Sequence, residues 1–196
     1  MPKNKGKSTI FKESLNRKNE TKGVIGISKR TKETRIEIKP WNDKDLDLLF
    51  QLNIPEMMEH LGGPESKEQI LKRHQRYLQL EDKGCMYSII LFPEAETVGS
   101  VGYWQTVRNN ENVYEIGWSV LTSYQGKGIA SVAVKALIAK IKAERKYKYI
   151  HAFPSITNPA SNAICRKLEF TLLSECEFEY PRGSFMRCND WRLEIV

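Results

Sequence analysis

No run of 18 consecutive apolar residues occurs in the 196-residue chain, so a membrane-spanning helix is not expected. The lysines near the N-terminus have no apolar segment behind them, which argues against a secretory leader. Cysteine is sparse: Cys85, Cys165, Cys176 and Cys188 stand apart, with no C-x-x-C spacing. That pattern fits neither a disulfide framework nor a zinc module, and reads as reduced, buried thiols in a cytoplasmic protein. The histidines are few as well. His60, His74 and His151 show neither HExxH-like nor His–carboxylate spacing, so no metal site is expected. No internal repeat is visible.

Positive charge is missing from most of the chain despite a formal net charge of +7. Residues 1–35 hold 11 Lys/Arg against 3 Asp/Glu, whereas residues 36–196 hold 20 against 21. A nucleic-acid-binding domain would carry its basic residues on the folded face. Residues 1–33 therefore read as a basic, flexible tail, too poor in apolar residues to bury much, and residues 34–196 as the folded domain. A solvated leader is the simpler reading of the tail. Contact with ribosome, other nucleic acid or anionic lipid is the alternative.

What the folded part contains is a regular alternation of strand and helix signals. Arg35 to Lys39 alternates as a strand. Asn42 or Asp43 can cap a helix to about Asn53, with Leu46, Leu49, Phe50 and Leu52 inward. Gly62-Gly63-Pro64 breaks the chain. Ser66 and Gln69 form a capping box for a helix to about Asp82, with Ile70, Leu71, Tyr77, Leu78 and Leu80 apolar. Met86–Phe92, Val98–Val107 and Val113–Leu121 read as three strands. A helix from Ile129 to about Lys146 shows an apolar stripe at Ile129, Ala133, Leu137 and Ile141, with Val134 and Ile138 beside it. Tyr147–Phe153 is a further strand, and Asn158-Pro159 opens a short helix to about Leu168. Phe170–Tyr180 and Phe185–Ile195 form a closing hairpin around Pro181-Arg182-Gly183. The order β-α-α-β-β-β-α-β-α-β-β predicts an α/β (α+β type) fold, a mostly antiparallel sheet with helices on both faces.

The stretch of greatest chemical interest is Tyr124-Gln125-Gly126-Lys127-Gly128-Ile129-Ala130, between a strand and the long helix. Two glycines at such a junction permit a tight turn whose N–H groups share one concavity. The helix start adds unpaired donors and the positive end of its dipole, and Lys127 adds a charge. A phosphate or pyrophosphate would satisfy these donors. The Walker spacing is absent. The dinucleotide fingerprint lacks a glycine or alanine where Ser131 stands and an acid near Tyr149 to Phe153. A glycine-rich connection without a ligand is the bland alternative.

Gln125, Gly128 and Ala130 fill the fixed positions of Gln/Arg-x-x-Gly-x-Gly/Ala, and this resembles motif A of the GNAT (GCN5-related) N-acetyltransferases. The element order over residues 34–196 is similar to that family. Glu115-Ile116-Gly117-Trp118 and Asn158-Pro159-Ala160-Ser161-Asn162 look most like its ribosomal-protein N-terminal acetyltransferase branch. The resemblance implies the GNAT fold: about seven strands splayed between the fourth and fifth, flanked by about four helices. It implies acetyl-CoA as cosubstrate, its pyrophosphate on the backbone of Gln125, Gly126, Lys127, Gly128, Ile129 and Ala130. Its pantetheine arm would pair with backbone near Ser119, Val120 and Leu121, and Asn158 would bond a pantetheine amide.

The acceptor implied is a primary amine, on a protein N-terminus or a small molecule. Glu115, on the fourth strand, is the expected general base, with a structural carboxylate as the alternative; Glu177 and Glu179 are weaker candidates. The family's tyrosine acid falls on Cys165, a departure that puts that role in doubt. Ser161 takes its place, with an ordered water as the other option. An N–H near Val120 or Leu121 would face the thioester oxygen. A non-catalytic acyl-CoA-binding module tethered by the tail is the rival reading, and monomer and homodimer are both compatible with the sequence.

Overall fold

The computed structural model describes residues 35–180 and 183–195, so the predicted tail and the hairpin residues Pro181 and Arg182 lie outside the described residues. The first strand, β1, spans Arg35–Pro40. Asn42 then caps a short 3-10 turn, accepting from the Lys44 N–H while Asp45 accepts from the Asn42 N–H at 2.8 Å. The turn leads into α1 (Leu46–Leu52). A four-residue helix, α2 (Pro55–Met58), follows where the sequence predicts none; proline at its first turn supplies a pre-set φ. Ser66 and Gln69 make the expected capping box at the start of α3 (Lys67–Leu78). It ends four residues before the predicted Asp82, and Glu81 adopts φ +48°, which no helix continues through.

Three long strands come next: β2 (Gly84–Phe92), β3 (Glu96–Arg108) and β4 (Glu111–Val120). The remaining elements are α4 (Ile129–Glu144), β5 (Tyr149–Ala152), α5 (Pro159–Lys167), β6 (Thr171–Glu179) and β7 (Phe185–Glu194). The seven strands form one sheet in the order β1-β2-β3-β4-β5-β7-β6, antiparallel except between β4 and β5. The described helices number five rather than about four because α2 is too short to show a period.

The two faces of the sheet carry separate cores. The α4 stripe is buried as expected, from Ile129 to Ile141, against Tyr87, Ile89, Val101, Tyr114 and Ile116. Each such buried aliphatic or aromatic side chain contributes roughly 1.5–3 kcal/mol, so this face fixes where the start of α4 lies. The other face holds Trp41, Leu48, Leu49, Leu52, Ile70 and Met86, with Trp104 beside them. Here two expected core residues are corrected. Phe50 and Leu71 are 37% and 39% exposed, while Leu48, Arg73 and His74 are buried. His74 is a core histidine: its Nδ1 accepts from Trp41 Nε1 at 3.1 Å. Among the described residues no helix is long and apolar enough to cross a membrane.

Candidate active site

The glycine turn occupies the point where β4 hands over to α4. Gly126 and Gly128 adopt φ +71° and +78°, a region that side-chain-bearing residues avoid. A Cβ built on either glycine meets nothing within 4 Å, so the concavity above them is open. Val132 N–H to Gly128 O, 3.1 Å, is the bond that starts α4; the N–H groups of Ile129, Ala130 and Ser131 precede it. No acidic residue stands in the first turn of α4 to compete for these donors. Lys127 folds away from them: its Nζ donates to Ser123 O at 2.9 Å and lies 5.3 Å above the Tyr124 ring. An anion at the turn would thus meet backbone donors and the helix dipole rather than the Lys127 ammonium.

Below the turn, the sheet is open. β4 and β5 pair only at Tyr114–Ile150 and Glu115–His151. Beyond Glu115 the strands separate, and alternation along β4 directs the backbone groups of Trp118 and Val120 into the gap. Leu121 points the other way. Its N–H is committed to Val98 O at 2.9 Å and its carbonyl accepts from Tyr124 N–H at 2.8 Å. Ser119, paired with Ser100, also turns its backbone toward β3. Of the three backbone positions expected to meet the pantetheine arm, only Val120 faces the gap. Its carbonyl accepts from Gln125 Nε2 at 2.9 Å, leaving its N–H as the donor there.

Glu115 sits at the mouth of this gap, half-buried, opposite Trp104 on β3 and His151 on β5. Burial pushes its carboxyl up to about 7. A hydrogen bond from Trp104 and the charge of Arg108 work against that rise, and the charge of Asp190 adds to it. Gly117 makes room for the indole: a Cβ there would lie 3.1 Å from Trp104 Cη2. Glu177 and Glu179 lie on the exposed face of β6, and Glu179 is tied to the hairpin by accepting from Gly183 N–H at 2.8 Å.

Across the gap, α5 presents Asn158 and Ser161. Asn158 is the helix cap, its Oδ1 accepting from Ser161 N–H at 2.9 Å, so only its amide N–H₂ remains for a ligand. Ser161 is half-buried, and its hydroxyl makes no hydrogen bond among the described residues. Cys165 is fully buried, and burial raises its thiol to about 12, unsuited to acid or nucleophile.

The residue that fixes α5 is Asn162. It donates to Ser155 O and Asn158 O at 2.8 and 2.7 Å and accepts from Asn189 Nδ2 and Trp191 Nε1 at 2.7 and 2.8 Å. Asn162→Leu strands the buried Trp191 N–H and takes a partner from the half-buried Ser155 O and Asn189 amide, while Asn158 O keeps the Asn162 backbone N–H at 3.2 Å. At roughly 1–3 kcal/mol for the buried donor and less for the others, it is expected to destabilise the fold by about 3 kcal/mol in urea unfolding.

Two features escape the sequence. A cleft of about 250 Å³ runs beside α5, lined by Glu59, His60, Ser155, Thr157, Tyr180 and Phe185 among others. His60 Nδ1 and Thr157 Oγ1 meet across it at 3.2 Å. The second is a buried pair between His151 Nδ1 and Asp190 Oδ1, 2.6 Å apart. The sequence gives His151 no carboxylate at close spacing; the pair forms because β7 lies next to β5. Among the described residues, no group of three or more His, Cys, Asp or Glu is arranged to hold a metal ion.

An open glycine turn at a helix start, a gap in a seven-stranded sheet below it and a raised carboxylate at the gap's mouth define the architecture of an acyl-transferring enzyme. A family model described as an acetyltransferase (GNAT) domain matches residues 35–171, and the chain belongs to that family of N-acetyltransferases. The ribosomal-protein-serine acetyltransferase of Escherichia coli (strain K12) is 28% identical over 139 residues, which is 66% of this chain and 77% of the relative. A solved ribosomal L7/L12 alpha-N-protein acetyltransferase is similar at 25% identity and a TM-score of 0.67, over 82% of this chain and 90% of that one. The spermidine N-acetyltransferase from Vibrio cholerae, solved with CoA and spermine, shares the fold at a TM-score of 0.67 and 12% identity, over 82% and 95% of the two chains.

Proposed function

We propose that the chain transfers the acetyl group of acetyl-CoA to the N-terminal amine of a protein, by direct attack within a ternary complex. The observation that carries the reading is the gap between β4 and β5, bounded by the glycine turn at one end and Glu115 at the other. The diphosphate of acetyl-CoA lies on the N–H groups of Gly126 to Ser131, and the pantetheine arm enters the gap beside Val120. The acceptor's ammonium loses a proton to Glu115, whose raised carboxyl still ionises near neutral pH. The amine nitrogen then bonds to the thioester carbon. Val120 N–H donates to the oxyanion. As the C–S bond breaks, the Ser161 hydroxyl gives its proton to the departing CoA sulfur and takes the extra proton of the newly bonded nitrogen, which leaves a neutral amide, CoA thiol and Ser161 as it began.

A peptide acceptor is favoured over a polyamine by the cleft beside α5. Among the described residues that line it, Glu59 is the one carboxylate, whereas a polyamine calls for several. The similarity to an enzyme of ribosomal-protein serine supports the same choice.

The test is release of CoA thiol from acetyl-CoA in the presence of purified chain and an acceptor panel. Peptides with free N-termini are expected to drive release, and their Nα-acetylated forms are not. Release with spermidine or aminoglycosides alone would reverse the acceptor assignment. Tight acetyl-CoA binding with no release for any amine would make the chain a binding module instead.

A further inference from the structure

Arg108, Asp190 and His151 form a buried chain of ionisable groups that the acetyl-transfer reading does not use. Both Asp190 oxygens are engaged: Oδ1 with His151 Nδ1 at 2.6 Å, Oδ2 with Arg108 Nε and Nη2 at 3.1 Å each. The Asp190 side chain is 3% exposed and that of His151 4%, while Arg108 reaches out to 30%. Despite burial, which works the other way, the His151 bond and charge and the Arg108 guanidinium hold Asp190 below the usual carboxylate range. An ionised carboxylate only accepts, so His151 Nδ1 must be the donor, which leaves Nε2 on the far side of the ring. The ring itself is held in place: it stacks on Phe153, which stacks on Phe178, and the Arg108 guanidinium lies 5.1 Å above Phe153.

The chain adjoins Glu115. His151 is the register partner of Glu115 across β4 and β5, so the two side chains leave the same face of the sheet. The charged and titratable groups facing Glu115 come from three strands: Arg108 from β3, His151 from β5, and Cys188 and Asp190 from β7; Cys176 on β6 faces Arg108 and Asp190 in turn. The indole of Trp104 on β3 is its hydrogen-bond donor.

We propose that the Arg108–Asp190–His151 chain is a positioning network for acetyl transfer, which sets the pH at which Glu115 becomes a working base by holding one fixed anion and one fixed cation beside it. The proposal rests on the reading of Glu115 as general base. Asp190 disfavours the Glu115 carboxylate and Arg108 favours it, and their ion pair balances the two.

The experiment is the pH profile of kcat/KM for acetyl transfer in the full-length chain, compared across variants. Asp190→Asn removes the anion and also frees Arg108 from its partner, so the acid limb is expected to move about one pH unit lower. Arg108→Gln removes the cation, and the limb is expected to move higher by a similar amount. Opposite displacements from the two halves of one ion pair are a signature that a purely structural pair does not give. Arg108 is partly exposed, so its variant remains informative should Asp190→Asn fold poorly. Isotope-edited infrared titration of the Glu115 carboxyl gives the same readout without turnover. A limb that stays in place in both variants, or moves the same way in both, overturns the network. The base reading fails separately, if Glu115→Gln retains the wild-type profile.

Discussion

Glu115→Gln is expected to lower kcat/KM by about 10²–10⁴-fold near pH 7, the usual contribution of a positioned general base, with affinity for acetyl-CoA unchanged. The amide keeps the volume and can still accept from Trp104, so the loss isolates proton transfer from packing. In the wild type, kcat/KM should rise with pH through about 7, where burial has placed the carboxyl, and the variant should lack that limb. Unchanged turnover would remove Glu115 from the role.

The same substitution carries an opposite effect on stability. The Glu115 carboxyl is raised in the folded state from an ordinary 4.5 to about 7, so folding favours its neutral form. That preference stabilises the protein fully below about pH 4.5 and is lost as pH climbs through 7. The difference between the two limits is on the order of 3 kcal/mol. Glutamine is neutral throughout, so the variant should resist urea better than the wild type at pH 8 and about equally at pH 4.5. A residue whose removal costs activity and adds stability at neutral pH and above is one whose charge the fold tolerates for its chemistry.

Gly128→Val is expected to raise the acetyl-CoA Kd by about 100-fold or more, measured by calorimetry. A residue at φ +78° costs roughly 1–2 kcal/mol if it carries a Cβ, and more if that Cβ is branched. Its methyls would also project into the space where a Cβ now meets nothing within 4 Å, the space the reading assigns to the diphosphate. The melting temperature should fall by about 5–10 °C from that backbone strain, with no packing loss added, since a Cβ at Gly128 meets nothing within 4 Å. Retained affinity in a folded variant would move the diphosphate elsewhere.

The sequence made the scaffold legible wherever a periodic signal was long. The α4 stripe is 16 residues of one pattern, and its inward positions are the buried ones. The capping residues Asn42 and Ser66 announce their turns because the bonds they make are local. Signals failed where they were short or where distant strands decide. The four residues of α2 span one turn, too few for a stripe. Phe50 points outward because the orientation of α1 is set by Leu48, Leu49 and Leu52 against Trp41 and Ile70, and hydrophobicity alone does not choose among them.

The site divides the same way. The glycine turn and the carboxylate at 115 stand in contiguous motifs. The environment of that carboxylate does not: Trp104, Arg108, His151 and Asp190 come from β3, β5 and β7. Asp190 lies 39 residues from His151, and only the strand order β5-β7-β6 makes them neighbours.

The two-rung seam joining β4 to β5 leaves this protein with an unfinished sheet. On the proposed reading, an extended pantetheine arm lying in the opening would serve as a missing strand, and ligand and polypeptide would share one ladder of hydrogen bonds. Occupancy and architectural integrity would then be a single quantity: the donor would mend the enzyme that consumes it, and each turnover would unpick the repair.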